Sequence, residues 1–396
     1  MKASETTIIL FSTADWSEPY WTNKQHMAQT LTSLGYSVVY VESVGIRSPK
    51  LNSSKDIKRI VNRVVSGLKT VFFGGKREKG NFAVLSPLVI PNPNNHQFLS
   101  KVNNTLLSFL VNREVKAFKL PNIITWTYHP YILDLLETFD SQKVIYHCVD
   151  DLSQIPGIDE LSFKQQEERF LPVCDTVFVT TRALEERCSV YNNSVHYHGN
   201  VVDFNHFAYP KKISNPMLES ISSNSKRKVV YHGVLSDFKV DFSLFYDIAL
   251  NAPEYDFYII GQEREGQRNR TLQSIASLSN VHHIGYVSYE ELPSFLSHMD
   301  VALLPSQINE YTHSMFPMKF YEYVAARLPV ISTPLGFTEY TKNEALSVAS
   351  TASDFTILIE QHIKNGKLDQ VVSESIVGEN TWLGRTNKML SVLREE

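Results

Sequence analysis

The 396-residue sequence lacks an excess of either charge: 38 Lys and Arg stand against 42 Asp and Glu, a formal net charge of −4. That excludes a global basic field of the kind nucleic-acid binders use, so no nucleic-acid partner is expected, and attraction to polyanions must come from a local patch. Cysteine is scarce. Cys148, Cys174 and Cys188 are too few and wrongly spaced for a disulfide framework or a cysteine-rich zinc site. Cys148 and Cys174 sit in apolar strand-like runs and read as buried thiols, which fits a reducing cytoplasm. No apolar run reaches 18 residues, so no membrane-spanning helix is expected. Met1–Glu5 is polar and leads straight into a strand, so no secretory leader is expected either. Fixed-period repeats are missing. So is Gly-x-Gly-x-x-Gly, which argues against a nicotinamide or flavin dehydrogenase. His196 and His198 alternate on one strand and His282 and His283 are adjacent. Neither arrangement has metal-ligand spacing, so no metal and no cofactor is expected.

What is present is the composition of a folded protein, with 43% apolar, 11% aromatic and 20% charged residues. The length suggests two or three domains. Short apolar runs rich in β-formers alternate with helical patterns: Thr7–Ser12, Ser37–Glu42, Ile123–Thr127 and Lys143–Val149 in the first half, Lys228–His232, Asp256–Ile260, Val281–Ile284 and Val301–Leu304 in the second. Continuous rather than alternating hydrophobicity marks strands covered on both faces, and strand–helix alternation predicts right-handed βαβ units and parallel sheets. The alternation breaks from about Ala208 to Arg227, a stretch rich in Lys, Ser, Asn and Pro that reads as a linker. The predicted organisation is therefore an N-terminal Rossmann-like domain over 1–207, a linker over 208–227, a C-terminal Rossmann-like domain over 228–377 and a final helical segment over 378–396. In the last segment Trp382, Leu383, Met389, Leu390 and Leu393 need burial.

The segment Asn309–Pro334 is the most informative. After Pro317 it reads as a helix, with the proline near the first turn, where a missing N–H costs nothing. Free N–H groups and the positive dipole end suit a phosphate, and Lys319 adds a full charge beside them. Glu322, three residues on, shares that helix face and can accept hydrogen bonds from a ribose diol. A solvated Lys–Glu pair would leave the same pattern. Gly233, Gly261 and Gly285 each follow a strand, where glycine permits either a tight turn or close backbone approach to a nucleotide.

The pattern formed by Pro317, Lys319, Glu322, Tyr323, Ala325, Pro329 and Val330 resembles the donor-binding helix of bacterial group 1 glycosyltransferases, enzymes that build capsular, exopolysaccharide and teichuronic-acid-type polymers. Further segments resemble the same family in the expected order: Asp15–Trp16, Gln25–Ala28, Tyr146–Asp151 with Pro156–Gly157, Asn200–Phe204 with Phe207, Tyr231–Gly233, Ile259–Gly261 and His283–Tyr286. The resemblance implies an α/β GT-B fold, two facing Rossmann-like domains with parallel sheets, and a C-terminal helix crossing back to the first domain. It also implies transfer of a sugar from a nucleotide diphosphate sugar, UDP-linked, to a saccharide on a lipid carrier, without a metal. Gly233, Gly261, Ser314, Lys319 and Glu322 are the implied donor-binding positions, with Gly233 the best diphosphate neighbour. Two positions depart from the pattern: Ser314 stands where the commonest retaining members carry the first glutamate of a Glu-x₇-Glu pair, and Val201 stands where they carry a glycine. A resembling inverting, glucuronosyl-type subgroup also lacks that pair. A nucleotide-sugar epimerase of the same fold and a non-catalytic binding subunit of a polysaccharide assembly complex are the alternative readings.

On the acceptor side, Asp150 and Asp151 end the strand Lys143–Val149, at the sheet edge where ligands bind. Adjacent residues point different ways, so one aspartate is expected to face the ligand as general base and the other to cap or orient the loop. Two aspartates in a polar turn would look the same. His129 follows Ile123–Thr127 at the same edge and could polarise an acceptor or hold a phosphate; a structural histidine is the competing reading. His26 near the start of the first helix is open in the same way. Last, Ile57, Ile60, Val61, Val64, Val65 and Leu68 form an apolar helical stripe, flanked by Lys55, Lys58, Arg59, Arg63 and Lys69 and followed by Phe72, Phe73, Lys76, Arg77 and Lys79. A basic amphipathic helix with aromatic wedges suits an anionic membrane surface, which predicts a cytoplasmic protein peripheral on the inner face of the membrane. Packing of the stripe on the first domain's sheet is the alternative.

Overall fold

The continuously apolar runs do become buried parallel strands. The computed structural model describes residues 2–43, 65, 67–87, 97–263 and 269–395. They fall into two units, Met1–His198 with Thr386–Glu396, and Gly199–Arg385.

The first unit contains β1 (Thr6–Phe11), β2 (Ser37–Val41), β3 (Lys76–Lys79), β4 (Phe82–Leu85), β5 (Asn122–Thr127), β6 (Lys143–Cys148), β7 (Thr176–Val179) and β8 (Val195–Tyr197). Their order is β3-β4-β2-β1-β5-β6-β7-β8. All neighbours are parallel except β3, which runs antiparallel to β4. Residues of β1 alternate between two cores: Ile9 and Phe11 on one face, Ile8 and Leu10 on the other. Both faces are thus covered, which is why the strand is continuously apolar from Ile8 to Phe11.

The second unit holds β9 (Lys228–His232), β10 (Asp256–Ile260), β11 (Val281–Gly285), β12 (Val301–Leu304), β13 (Val330–Ser332) and β14 (Leu346–Val348), in the order β11-β10-β9-β12-β13-β14, all parallel. Val230 enters one core and Val229 and Tyr231 the other, so this sheet too is buried on both faces.

Several expectations change. The stretch read as a linker carries a helix, Pro216–Ser223, whose Leu218 and Ile221 are buried in the second unit's core. Asn215 and Pro216, which read as linker punctuation, are that helix's N-cap and first residue, with the Asn215 side chain accepting from the Met217 N–H at 3.0 Å. The division between units accordingly falls after His198 rather than after 207. The last helix, Trp382–Glu395, buries Met389, Leu390 and Leu393 in the first unit's core, whereas Leu383 stays exposed. Its first turn belongs to the second unit, so the apolar stripe does not face one core along its whole length. The basic residues Lys76, Arg77 and Lys79 form the edge strand β3, where charge discourages pairing with another chain.

Candidate functional site

In the second unit the strand order reverses between β9 and β12. At such a reversal the connections leave in opposite directions, and ligands bind at the carboxyl ends of the strands. Gly233 immediately follows β9 with φ +124°; a Cβ there would lie 2.2 Å from Lys319 Cε and 2.7 Å from its Nζ. Gly261 follows β10 with φ +154°, and a Cβ there would lie 1.9 Å from the Gly233 carbonyl oxygen. At 261 the neighbouring backbone leaves no room for a side chain, at 233 a Cβ would have to displace the flexible end of Lys319, and neither backbone conformation suits a side chain. The Gly233 N–H donates to the Ile260 carbonyl at 2.8 Å and the Gly261 N–H to the Gly285 carbonyl at 2.7 Å, which continues the sheet pairing past the strand ends.

Lys319 lies in the first turn of the helix Met318–Ala325, capped by Pro317. Its Nζ sits 5.3 Å from the centre of the Tyr231 ring and has no hydrogen bond or ion pair with another described residue. Burial pulls the ammonium pKa below its usual range, and the Glu322 carboxylate opposes that shift. A poorly solvated cation beside bare glycine backbone and a helix N-terminus is suited to an anion such as a diphosphate. Glu322 is buried on the same helix, with Oε2 3.2 Å from His232 Nε2. The contact lies off the imidazole N–H axis, so it is an electrostatic approach rather than an aligned hydrogen bond. Ser314 ends the short helix Glu310–His313, in the connection between β12 and the Lys319 helix.

In the first unit the two aspartates have separated roles. Asp151 caps the short 3₁₀ helix Leu152–Gln154: its Oδ1 accepts from the Ser153 N–H at 3.1 Å and the Ser153 hydroxyl at 2.6 Å. Its Oδ2 lies 2.6 Å from Arg187 Nη1, and Arg187 reaches Glu167 at 3.1 Å. Tyr146 donates to the same Glu167 at 2.6 Å. Asp151 is therefore committed to structure. Asp150 is half-buried, and its carboxylate has no hydrogen bond or ion pair with another described residue. It is the one available to chemistry.

His129 follows β5 but has no exposure at all. Phe11 packs edge-on at 6.5 Å and Tyr131 lies at 5.9 Å, and neither ring nitrogen has a hydrogen-bond partner among the described residues. The expectation of an accessible edge histidine is corrected: the ring is enclosed because β5 and β1 are neighbours and their end residues pack together. Burial holds its pKa down at about 3, so it is neutral at physiological pH. His26, in the helix Asn23–Ser33, is likewise buried, with Trp21 edge-on at 5.3 Å.

Of the residues singled out for a membrane surface, Lys58, Arg59 and Arg63 lie outside the described residues. Phe72 and Phe73, at the end of the helical stretch 67–73, are 74% and 86% exposed. They are held there: Arg113 donates to the carbonyls of Thr70 and Val71, and Glu114 accepts from the Gly75 N–H at 2.8 Å.

Sequence reasoning missed His232, Glu167 and Arg187. His232 sat inside a segment singled out for its glycine, and its partner is remote in sequence. Glu167 and Arg187 sit on ordinary amphipathic helices, where nothing local marks a buried ion pair.

Residues 226–365 match the family model of group 1 glycosyl transferases. A curated relative, TuaH of Bacillus subtilis (strain 168), assigned as a teichuronic acid biosynthesis glycosyltransferase, is 23% identical over 227 residues; the match covers 54% of this chain and 56% of that protein, so a little over half of the relative's length. Among solved structures, sucrose-phosphate synthase from Thermosynechococcus elongatus superposes with a TM-score of 0.68 at 13% identity, covering 98% of each chain. Anabaena HepE in complex with UDP gives 0.63 at 12% identity, covering 99% of this chain and all (100%) of that one. The fold is that of the GT-B glycosyltransferases.

The enclosed His129 generates a pH dependence. Unfolded, it takes up a proton near pH 6.5; folded, only near pH 3. Its contribution to stability is therefore present above about 6.5 and lost as pH falls toward 3. In urea titrations His129→Phe should lose less stability than the wild type between pH 7 and pH 4. Equal losses would show that the imidazole is not held neutral.

Proposed function

We propose that this chain, whose residues 226–365 are a group 1 glycosyltransferase domain, transfers a sugar from a nucleotide diphosphate sugar, UDP-linked, to a lipid-carried saccharide in the assembly of a cell-surface polysaccharide. The observation that carries this reading is the Lys319 ammonium laid across Gly233 at the sheet reversal, with Glu322 behind it on the same helix. A phosphate anchor and a hydroxyl acceptor, one helical turn apart, match the two ends of a ribose diphosphate. HepE has been crystallised with UDP and with UDP-glucose, and TuaH is assigned to teichuronic acid synthesis; both support the choice of donor and product class.

In this reading the second unit binds the donor and the first provides the acceptor side. An acceptor hydroxyl oxygen attacks the anomeric carbon, and the bond from that carbon to the β-phosphate oxygen breaks. The nucleoside diphosphate leaves with the electron pair, its charge met by Lys319 and the helix N-terminus. The hydroxyl proton passes to the Asp150 carboxylate. Ser314, where a second donor-side carboxylate would stand, favours this inverting course with the base on the first unit.

The exposed Phe72 and Phe73, with Lys69, Lys76 and Arg77 close to them in sequence, support a further element: the first unit rests on the anionic inner face of the membrane, where a lipid-linked acceptor would be found.

Three measurements test the proposal. By calorimetry, Lys319→Ala should weaken UDP binding about tenfold or more, the scale of a charge-assisted contact, while binding of uridine changes little; equal affinities of mutant and wild type for UDP would refute the anchor. Asp150→Asn should lower turnover about 10²-fold or more with donor affinity kept. Full turnover in that variant, a retained anomeric configuration, or donor conversion without any acceptor would each remove the assigned base. In flotation assays the wild type should bind vesicles containing anionic lipid and release as salt screens the charges. A Phe72→Ser, Phe73→Ser double variant should bind less; unchanged binding would assign the contact elsewhere.

A further inference from the structure

His232 is the last residue of β9 and immediately precedes Gly233. Two of its groups meet two consecutive residues of the Lys319 helix. Its backbone N–H donates to the Tyr323 hydroxyl at 2.8 Å, with the Tyr323 ring edge-on at 4.8 Å. Its imidazole Nε2 lies 3.2 Å from Glu322 Oε2. The strand end and the helix are thus registered on each other by a single residue, and one nitrogen of that residue's ring stands beside the carboxylate assigned to the ribose, off its N–H axis.

Packing alone does not call for an imidazole here. An apolar ring would fill the space between Glu322 and Tyr323 without bringing a polar nitrogen into a buried place. A nitrogen facing a buried carboxylate does something packing does not: it holds a side chain with three rotatable bonds in one orientation before a ligand arrives, which removes an ordering cost from binding. The charges around it fit that role. Burial lowers the His232 pKa, the nearby Lys319 ammonium lowers it further, and the Glu322 carboxylate opposes both. Tyr231 and Tyr323, the remaining titratable neighbours, have their hydroxyl pKa values raised by burial and stay neutral. A neutral imidazole beside the carboxylate limits where that side chain can turn while leaving its negative charge, and so its strength as a hydroxyl acceptor, intact.

We propose that His232 is a positioning residue for Glu322, and that the two together, rather than Glu322 alone, distinguish a donor nucleotide's ribose from its 2′-deoxy form. This rests on the reading of Glu322 as the ribose acceptor.

The test uses the full chain and calorimetry. Of UDP, ADP and GDP, the tightest binder is compared with its 2′-deoxy counterpart, and inorganic pyrophosphate reports the Lys319 anchor separately. The wild type should prefer the ribo form about tenfold, the worth of a hydrogen bond to a charged group. Glu322→Gln should lose most of that preference. His232→Phe should lose most of it as well, with pyrophosphate affinity unchanged, and His232→Gln, which restores a donor, should recover part of it. His232→Met carries the same expectation as the phenylalanine variant should that one fail to fold. If Glu322→Gln keeps the preference, or no nucleoside diphosphate binds, the ribose reading fails and takes this inference with it. If Glu322→Gln loses the preference but His232→Phe and His232→Met keep it, the ribose reading stands and the role of His232 is overturned.

Discussion

Everything at the candidate donor site depends on two stretches of backbone coming closer than any side chain permits. Gly261 touches the Gly233 carbonyl, and Gly233 in turn lies under the Lys319 side chain. Because the space above β9 is empty of Cβ atoms, a lysine from a helix far along the chain can lay its stem across the strand end. Its ammonium then rests where no other described group hydrogen-bonds or ion-pairs with it. A residue with a Cβ at 233 would push that cation away, and with it the reason for Glu322 to be where it is. The constraint is steric, but its product is electrostatic.

The first unit solves a related problem by the opposite means. There two adjacent carboxylates must not do the same thing. Asp151 is bound up with Ser153 and with Arg187, which in turn is held by Glu167 and, through it, Tyr146. Removing one partner from such a buried ion-pair network leaves another charge stranded, so these residues stand or fall together. Their common effect is to fix the turn after β6, and Asp150 is left over as the uncommitted acid.

The architecture was legible from the sequence because both sheets are covered on both faces: uniformly apolar runs such as Val301–Leu304 and that from Ile8 to Phe11 mark such strands. The strand β3 was not legible, since Lys76, Arg77, Glu78 and Lys79 carry no apolar period and owe their conformation to pairing with β4. The helix Pro216–Ser223 was hidden by its own capping residues, which are also the residues of linkers. At the site, Lys319 and Glu322 could be read because helical spacing joins them locally. The His232–Glu322 contact and the enclosure of His129 could not, because both are made by strands and helices that meet only after the chain has folded.

The three cysteines, noticed first for their small number, all lie in the first unit, and all are buried as free thiols. Burial pushes the Cys174 thiol well above its usual range, and its neighbour Cys188 together with burial does the same for Cys148. Closed, this unit offers a thiol reagent little thiolate and little access. The second unit has no sulfhydryl at all. A cysteine label on this protein is therefore a one-sided clock: it starts when the first unit opens, and it is blind to anything the second unit does alone.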